Sequence, residues 1–257
     1  MRAWVYTSVC SLCLAFPIVL GAAETSAGPA PDPLSETAKL PPSIVIGFVG
    51  GMVAHDNLAH SEVQLAAALR RQYSSGVYVQ AFENRRSDRA HRQILRLLDT
   101  NHDGNLSWQE KQDARIIFYG HSWGASEAVN LARILGAEGI PVLLTVQVDS
   151  VAKHGQNDAI IPANVAQAVN FYQPHGFIHG RSQIRAADPA RTQIVGNFRF
   201  DYKAAPVRCQ HYPWWDNLFV KTHTEIECDP KVWTQVEQLI RSKLPALQPV
   251  LSSSSLN

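Results

Sequence analysis

The 257-residue sequence lacks the features that define several specialised protein classes. Four cysteines are too few for a disulfide-dense mini-protein, and 46% apolar residues are too many for a disordered chain. Lysine and arginine (23) balance aspartate and glutamate (22), so the chain has no excess positive charge with which to bind nucleic acid. The composition therefore favours a globular protein with one large or two small hydrophobic cores and no nucleic-acid partner.

The first residues have the order of a secretory signal peptide. Arg2 precedes an uncharged run over residues 4–20, which ends in Gly21-Ala22-Ala23. Cleavage near Ala23 predicts a secreted or periplasmic protein without stable membrane insertion. The alternative is an uncleaved membrane anchor, because the run approaches the ~20 residues that span a bilayer.

Cysteine placement agrees with export. Two of the four cysteines lie within the predicted signal, which leaves Cys209 and Cys228. In an exported protein this pair predicts a disulfide that closes a loop of about 20 residues. Two buried free thiols are the alternative.

The chain divides into a signal peptide (1–23), a Pro/Ala/Ser-rich linker (24–41), a folded domain (42–245) and a flexible tail (246–257). Within the domain, short apolar runs alternate with segments of helical period, which predicts an α/β fold with a mostly parallel sheet and helices on both faces. Residues 174–222 show no clean period. Predicted strands are 43–49, 76–82, 115–119, 141–148 and 168–172, and predicted helices are 61–73, 90–98, 125–135 and one that follows Asp229-Pro230.

The motif Gly120-His121-Ser122-Trp123-Gly124 stands between the third predicted strand and the next helix. A nucleophilic serine on such a tight turn needs small flanking residues, because side chains there would clash. The motif predicts that Ser122 is a nucleophile, and the alternative is an ordinary serine in a structural turn. The amide of Trp123 and the Val49-Gly50 segment after the first strand would form the oxyanion hole.

The strand order, the GHSWG turn and the glycine pair Gly50-Gly51 resemble the α/β-hydrolase family, in particular its lipase-like and esterase-like members. The resemblance covers roughly residues 42–245. It implies a catalytic triad in the chain order serine, acid, histidine, with the acid after a later strand and the histidine shortly before the last helix. It implies no organic cofactor.

His223 fits the triad histidine best, because it precedes the final predicted helix; His211 is the alternative. Asp149 fits the acid, since the fourth apolar run would deliver its carboxylate to the edge of the sheet where Ser122 emerges. The commonest family layout places the acid one strand later, so Asp158 remains a rival.

Residues 99–110 (DTNHDGNLSWQE) match an EF-hand calcium loop, with an oxygen donor at every ligand position and Gly104 at the turn position. Only a short segment remains for an exiting helix and no second loop is visible, which disfavours a calcium sensor. The loop should bind a structural Ca²⁺ at the sheet edge opposite Ser122. The predicted ligands are Asp99, Asn101, Asp103, Asn105, Ser107 and Glu110.

Together these features predict an exported serine hydrolase that cleaves carboxylic ester or thioester bonds of a small molecule and carries a structural calcium ion. An amidase or acyltransferase could use the same triad. The alternative from another class is a calcium-binding, non-catalytic binding or structural protein on a hydrolase fold.

Overall fold

The computed structural model describes residues 40–209 and 220–247. The predicted signal peptide, nearly all of the linker, His211 and most of the predicted tail lie outside the described residues. In the described part of the chain, no helix has both the length and the apolar character needed to cross a membrane.

Six parallel strands form the main sheet, in the order β2-β1-β3-β4-β6-β8. A separate pair of two-residue strands, β5 and β7, lies outside it. The central strands β1, β3 and β4 are nearly continuous apolar runs, as expected of strands that are buried on both faces. The strands are β1 (Ser43–Val49), β2 (Val77–Glu83), β3 (Ile116–His121), β4 (Val142–Val148), β5 (Ile160–Ile161), β6 (Val165–Tyr172), β7 (Arg185–Ala186) and β8 (Gln193–Arg199).

Within the described residues, six helices connect or follow these strands. Four of them cover the sheet, while the five-residue α3 follows the predicted calcium loop and α5 carries His223. The helices are α1 (Ser61–Gln72), α2 (Ser87–Leu98), α3 (Trp108–Gln112), α4 (Trp123–Ala137), α5 (Lys221–Cys228) and α6 (Pro230–Arg241).

Alternation along the strands divides the core between the two faces of the sheet. In β1, Ile44 and Phe48 pack with apolar residues of α2 and α4, whereas Val45 and Val49 pack with those of α1 and α6. The predicted fold class is confirmed: a mostly parallel sheet is covered by helices on both faces, which fits the α/β-hydrolase fold.

Strand β8 and helix α5 are not predicted by the sequence pattern. Strand β8 lies at the sheet edge and is half-exposed, so it lacks the apolar run by which the central strands are recognised. His223 precedes the final helix, as predicted, but it lies in the first turn of α5, a helix that the sequence does not predict. That helix has only eight residues, too few for a clear helical period.

The predicted disulfide is present. Cys209 and Cys228 are bonded, with their Cα atoms 5.6 Å apart. The bond joins the segment before residue 210 to the last residue of α5. It therefore restrains the helix that carries His223.

Candidate active site

The turn between β3 and α4 places Ser122 in a strained conformation. Its backbone has φ 56° and ψ −125°, a region that costs a non-glycine residue about 1–3 kcal/mol. The Ser122 amide donates to the Val148 carbonyl at 3.0 Å, which ties the turn to the end of β4. A Cβ at Gly124 would lie 2.1 Å from the Phe48 carbonyl oxygen, and one at Gly120 would lie 2.6 Å from the Gly124 carbonyl carbon. A residue with a Cβ atom would clash at either position, so both must be glycine.

Helix α5 brings His223 against Ser122 from 101 residues along the chain. The His223 Nε2 lies 2.8 Å from Ser122 Oγ, and its Nδ1 lies 2.7 Å from Asp149 Oδ2. Because an ionised carboxylate only accepts hydrogen bonds, Nδ1 carries the proton and Nε2 has a free lone pair towards the serine. The imidazole thus has the tautomer that a general base for Ser122 needs.

Asp149 directly follows β4 and is fully buried. Its Oδ1 accepts from the Gly180 amide at 2.8 Å, and its Oδ2 accepts from the Gln173 side-chain amide at 2.9 Å as well as from His223. No sequence motif identifies Gln173 or Gly180, because both lie in segments that connect strands. These donors hold the carboxylate in one orientation and stabilise its charge.

Asp158, the rival acid, has other partners. Its Oδ1 accepts from Arg181 Nε at 2.6 Å and its Oδ2 from Ser150 Oγ at 2.7 Å. The structure therefore brings Asp149, rather than Asp158, to His223.

Ser122 and His223 open into a cleft of ≈ 300 Å³. The side chains of Val151, Ile178 and Val220 give it apolar walls, and Trp123, which is 39% exposed, lies at its edge.

Of the three predicted oxyanion-hole residues, Trp123 and Gly50 line the cleft. A Cβ at Gly50 would lie 3.1 Å from Ser122 Cβ, so this segment lies directly against the serine. Val49 is fully buried, and its carbonyl accepts from the Asn84 side chain at 3.1 Å. Asn84 also donates to the Gly51 carbonyl at 2.6 Å and thereby fixes the segment after β1.

A buried polar cluster lies behind the serine and histidine. The His121 Nε2 lies 3.1 Å from the His223 carbonyl oxygen, and its Nδ1 lies 3.2 Å from Glu227 Oε2. Burial lowers the pKa of His121 to about 4, against the opposing effect of Glu227. Burial and then the charge of Glu227 raise the pKa of Glu62 well above its usual value.

The predicted calcium loop joins α2 to α3. Its last two predicted ligands close the loop, because Ser107 caps α3 and the Glu110 carboxylate accepts from the amides of Ser107 and Thr100. These bonds lower the pKa of Glu110 to about 2, so the carboxylate is ionised at neutral pH.

The first half of the same loop is tied to its own backbone. Asp99 accepts from the amides of Asp103 and Gly104, and Asn101 accepts from that of Asp103. Gly104 has φ +82°, the left-handed conformation that glycine adopts without strain. Asn105, the remaining predicted ligand, is exposed, and its amide donates to the Asp103 side chain. All six predicted calcium ligands therefore lie in one closed loop.

No protein-family model matches the chain, and no curated protein sequence matches it. Three solved structures have chain traces similar to this one. A hydrolase of the α/β superfamily from Xanthomonas campestris pv. campestris, described as unconfirmed in function, is 12% identical, covers 78% of this chain and 99% of its own, and has a TM-score of 0.35. RedJ, with a polyethylene glycol molecule in its active site, is 12% identical (84% and 96% covered, TM-score 0.39). An acetyl xylan esterase is 10% identical (79% and 99% covered, TM-score 0.36).

Replacement of Gly124 by alanine tests the turn. The added methyl would overlap the Phe48 carbonyl oxygen, which cannot move without disturbing β1. We expect Gly124→Ala to lower the free energy of unfolding by roughly 2–4 kcal/mol, as overpacking and backbone strain do. Thermal unfolding followed by circular dichroism measures this.

Gly136→Ala in the same helix is the matched control. The nearest atoms to its methyl belong to the side chain of Asn164, at 2.7 Å, and not to the main chain of a central strand, so the loss should be smaller. Equal stabilities of the two variants would contradict this account of the turn.

Proposed function

We propose that the protein is a serine hydrolase that cleaves carboxylic ester or thioester bonds. The observation that supports this best is the continuous chain of hydrogen bonds from Ser122 through His223 to Asp149, at 2.8 and 2.7 Å. It begins at a strained turn and opens into a cleft, which is where a nucleophile meets a substrate.

In the first half of the reaction, Ser122 Oγ attacks the carbonyl carbon of the substrate while His223 Nε2 takes the hydroxyl proton. The carbonyl oxygen becomes an oxyanion, and the Trp123 amide and the Gly50 segment stabilise it. When the tetrahedral intermediate collapses, His223 returns the proton to the departing alcohol or thiol. Asp149 holds the imidazole in its tautomer and stabilises the imidazolium.

In the second half, water replaces the leaving group. His223 takes a proton from the water while the water oxygen attacks the acyl carbon. His223 then protonates Ser122 Oγ as the carboxylic acid product leaves. The apolar side chains of Val151, Ile178 and Val220 in the cleft favour a substrate with an apolar group next to the scissile bond.

We also propose that the hydrolase is exported and that residues 99–110 bind a structural calcium ion. The Cys209–Cys228 disulfide supports an oxidising compartment. The donor set suits Ca²⁺, because it consists only of carboxylate, amide, hydroxyl and main-chain oxygens. The Glu110 carboxylate accepts four hydrogen bonds, from the amides and the hydroxyls of Thr100 and Ser107. The two hydroxyls can rotate away, so an ion would replace them while the bonds from the two amides are kept.

Hydrolysis of a panel of p-nitrophenyl esters, thioesters and anilides tests the proposed activity. Ser122→Ala and His223→Ala should each reduce kcat by about 10⁶, and Asp149→Asn should reduce it by about 10⁴. The ratio of ester to anilide turnover identifies the bond class.

Asp158→Asn is the matched control, since it removes an equally buried carboxylate that contacts neither Ser122 nor His223. The Asp158→Asn protein that folds should have a kcat within a few-fold of the wild-type value. If the folded wild type turns over none of these substrates, the non-catalytic binding protein becomes the better account. Loss of activity in Asp158→Asn alone would assign the acid to Asp158.

Calcium should raise the melting temperature without changing the helix content. With a dissociation constant of about 0.1–1 mM, 10 mM Ca²⁺ should raise Tm by roughly 3–10 °C. Asp103→Asn should abolish most of the shift, whereas Asp113→Asn, just outside the loop, should keep it. Circular dichroism with calcium and with chelator measures both quantities, and equal shifts in the two variants would count against the site.

A further inference from the structure

Two buried carboxyl groups and two buried imidazoles meet below the cleft, and the proposed hydrolysis uses none of them. His60 and Glu62 lie at the beginning of α1, His121 ends β3, and Glu227 lies in the last turn of α5. Their relative exposures are 9%, 0%, 4% and 3%. Ionisable groups this deeply buried require partners or a bound ion, since desolvation of a charge is costly.

The ligand atoms of three of these side chains converge. One nitrogen of His60 and one oxygen each of Glu62 and Glu227 all lie within 4.8 Å of one another. His60 Nδ1 lies 2.6 Å from Glu227 Oε1, and His121 Nδ1 lies 3.2 Å from the other oxygen of the same carboxylate. Glu227 is therefore the centre of the cluster.

The tautomer of His121 leaves a lone pair directed into the cluster. Its Nε2 faces the His223 carbonyl oxygen, which can only accept a hydrogen bond, so Nε2 carries the proton. In the neutral ring, Nδ1 then presents a lone pair to Glu227 Oε2. The two atoms lie 3.2 Å apart, a contact that either a proton on the carboxyl group or a cation between them would stabilise.

Glu62 gives a second, independent indication. It is fully buried, and neither of its carboxyl oxygens has a hydrogen-bond partner of acceptable geometry among the described residues. The groups that face it are the Glu227 carboxyl and the main chain of Gly50. Two carboxylates in one buried site repel each other unless a proton is bound to one of them or a cation lies between them.

We propose that His60, Glu62 and Glu227 bind a divalent transition-metal ion, with zinc preferred, and that His121 Nδ1 is a fourth ligand. Mixed imidazole and carboxylate donors are typical of zinc, and the charge of the ion would balance both carboxylates. The bond from His121 Nε2 to a main-chain carbonyl is the outer contact that metal-bound histidines usually make.

The present spacing needs only small side-chain adjustments. Two ligands about 2.1 Å from one tetrahedral zinc lie about 3.4 Å apart, close to the 3.2 Å between His121 and Glu227. The His60–Glu227 contact of 2.6 Å is a hydrogen bond, so the ion would replace the proton that these two groups share. His60, His121 and Glu227 line the cleft, which gives the ion a path of entry.

This zinc site would join the start of α1, the end of β3 and the end of α5. It is separate from the calcium loop, whose donors are all oxygens. It is also independent of the proposed hydrolysis, because none of its ligands is Ser122, His223 or Asp149. Four protein ligands would make the ion structural.

Zinc binding to the purified protein tests the proposal, with excess Ca²⁺ present to fill the predicted loop. Calorimetric titration with Zn²⁺ should give one saturable site per chain, and saturating zinc should raise Tm by at least about 5 °C at a hundredfold excess over Kd. Glu62→Gln and Glu227→Gln should each weaken the affinity by at least about 10–100-fold. Glu225→Gln, which alters another buried glutamate of α5, should bind zinc as the wild type does.

The wild-type protein alone provides a second measurement, which keeps the test valid if a variant fails to fold. Co²⁺ in place of zinc should give the visible absorption of a four- or five-coordinate nitrogen and oxygen site, and zinc should displace it. The absence of saturable zinc binding to the folded wild type would overturn the proposal and leave a cluster held together by shared protons. Unchanged affinity in both Glu62→Gln and Glu227→Gln would overturn it equally.

Discussion

The turn from β3 into α4 is the constraint on which the candidate site depends. Ser122 adopts a left-handed backbone conformation there, and the glycines on either side leave no space for a Cβ. Close contact between Gly124 and the end of β1 brings the Gly50 segment against the serine. The same packing therefore positions Ser122, the proposed nucleophile, and the segment proposed to stabilise the oxyanion. The strain is maintained because β1, β3 and β4 fix the turn from several directions.

The histidine reaches this turn through a helix that is held at several points. The His223 carbonyl oxygen is hydrogen-bonded to His121, and His223 Nδ1 is hydrogen-bonded to Asp149. The Trp233 indole donates to the Glu227 carbonyl at the end of α5, and the disulfide at Cys228 restrains the same end. A histidine held in this way would need little reorganisation to act as the proposed base, which is the physical advantage of a preorganised site. The buried cluster around Glu227 supports the helix from behind.

The sequence predicts the fold and the main site residues where local signals are strong. The central strands are continuous apolar runs, and Asp149 follows one of them, so its place at the sheet edge can be predicted. Strand β8 cannot be predicted in this way, because an edge strand needs no apolar run. Gln173 cannot be predicted either, because its role depends on a contact with Asp149, 24 residues away in the sequence. The convergence of Glu62 with Glu227 is likewise invisible, since residues so far apart in sequence meet only in the folded chain.

The central claim is that Ser122 is an activated nucleophile, and covalent modification tests it most directly. The purified protein would be treated with a fluorophosphonate, and the adduct would be located by tandem mass spectrometry. The account predicts a single adduct on Ser122, formed far more slowly when His223 is replaced by alanine. A folded protein that stays unmodified, or an adduct on another serine such as Ser126, would contradict it.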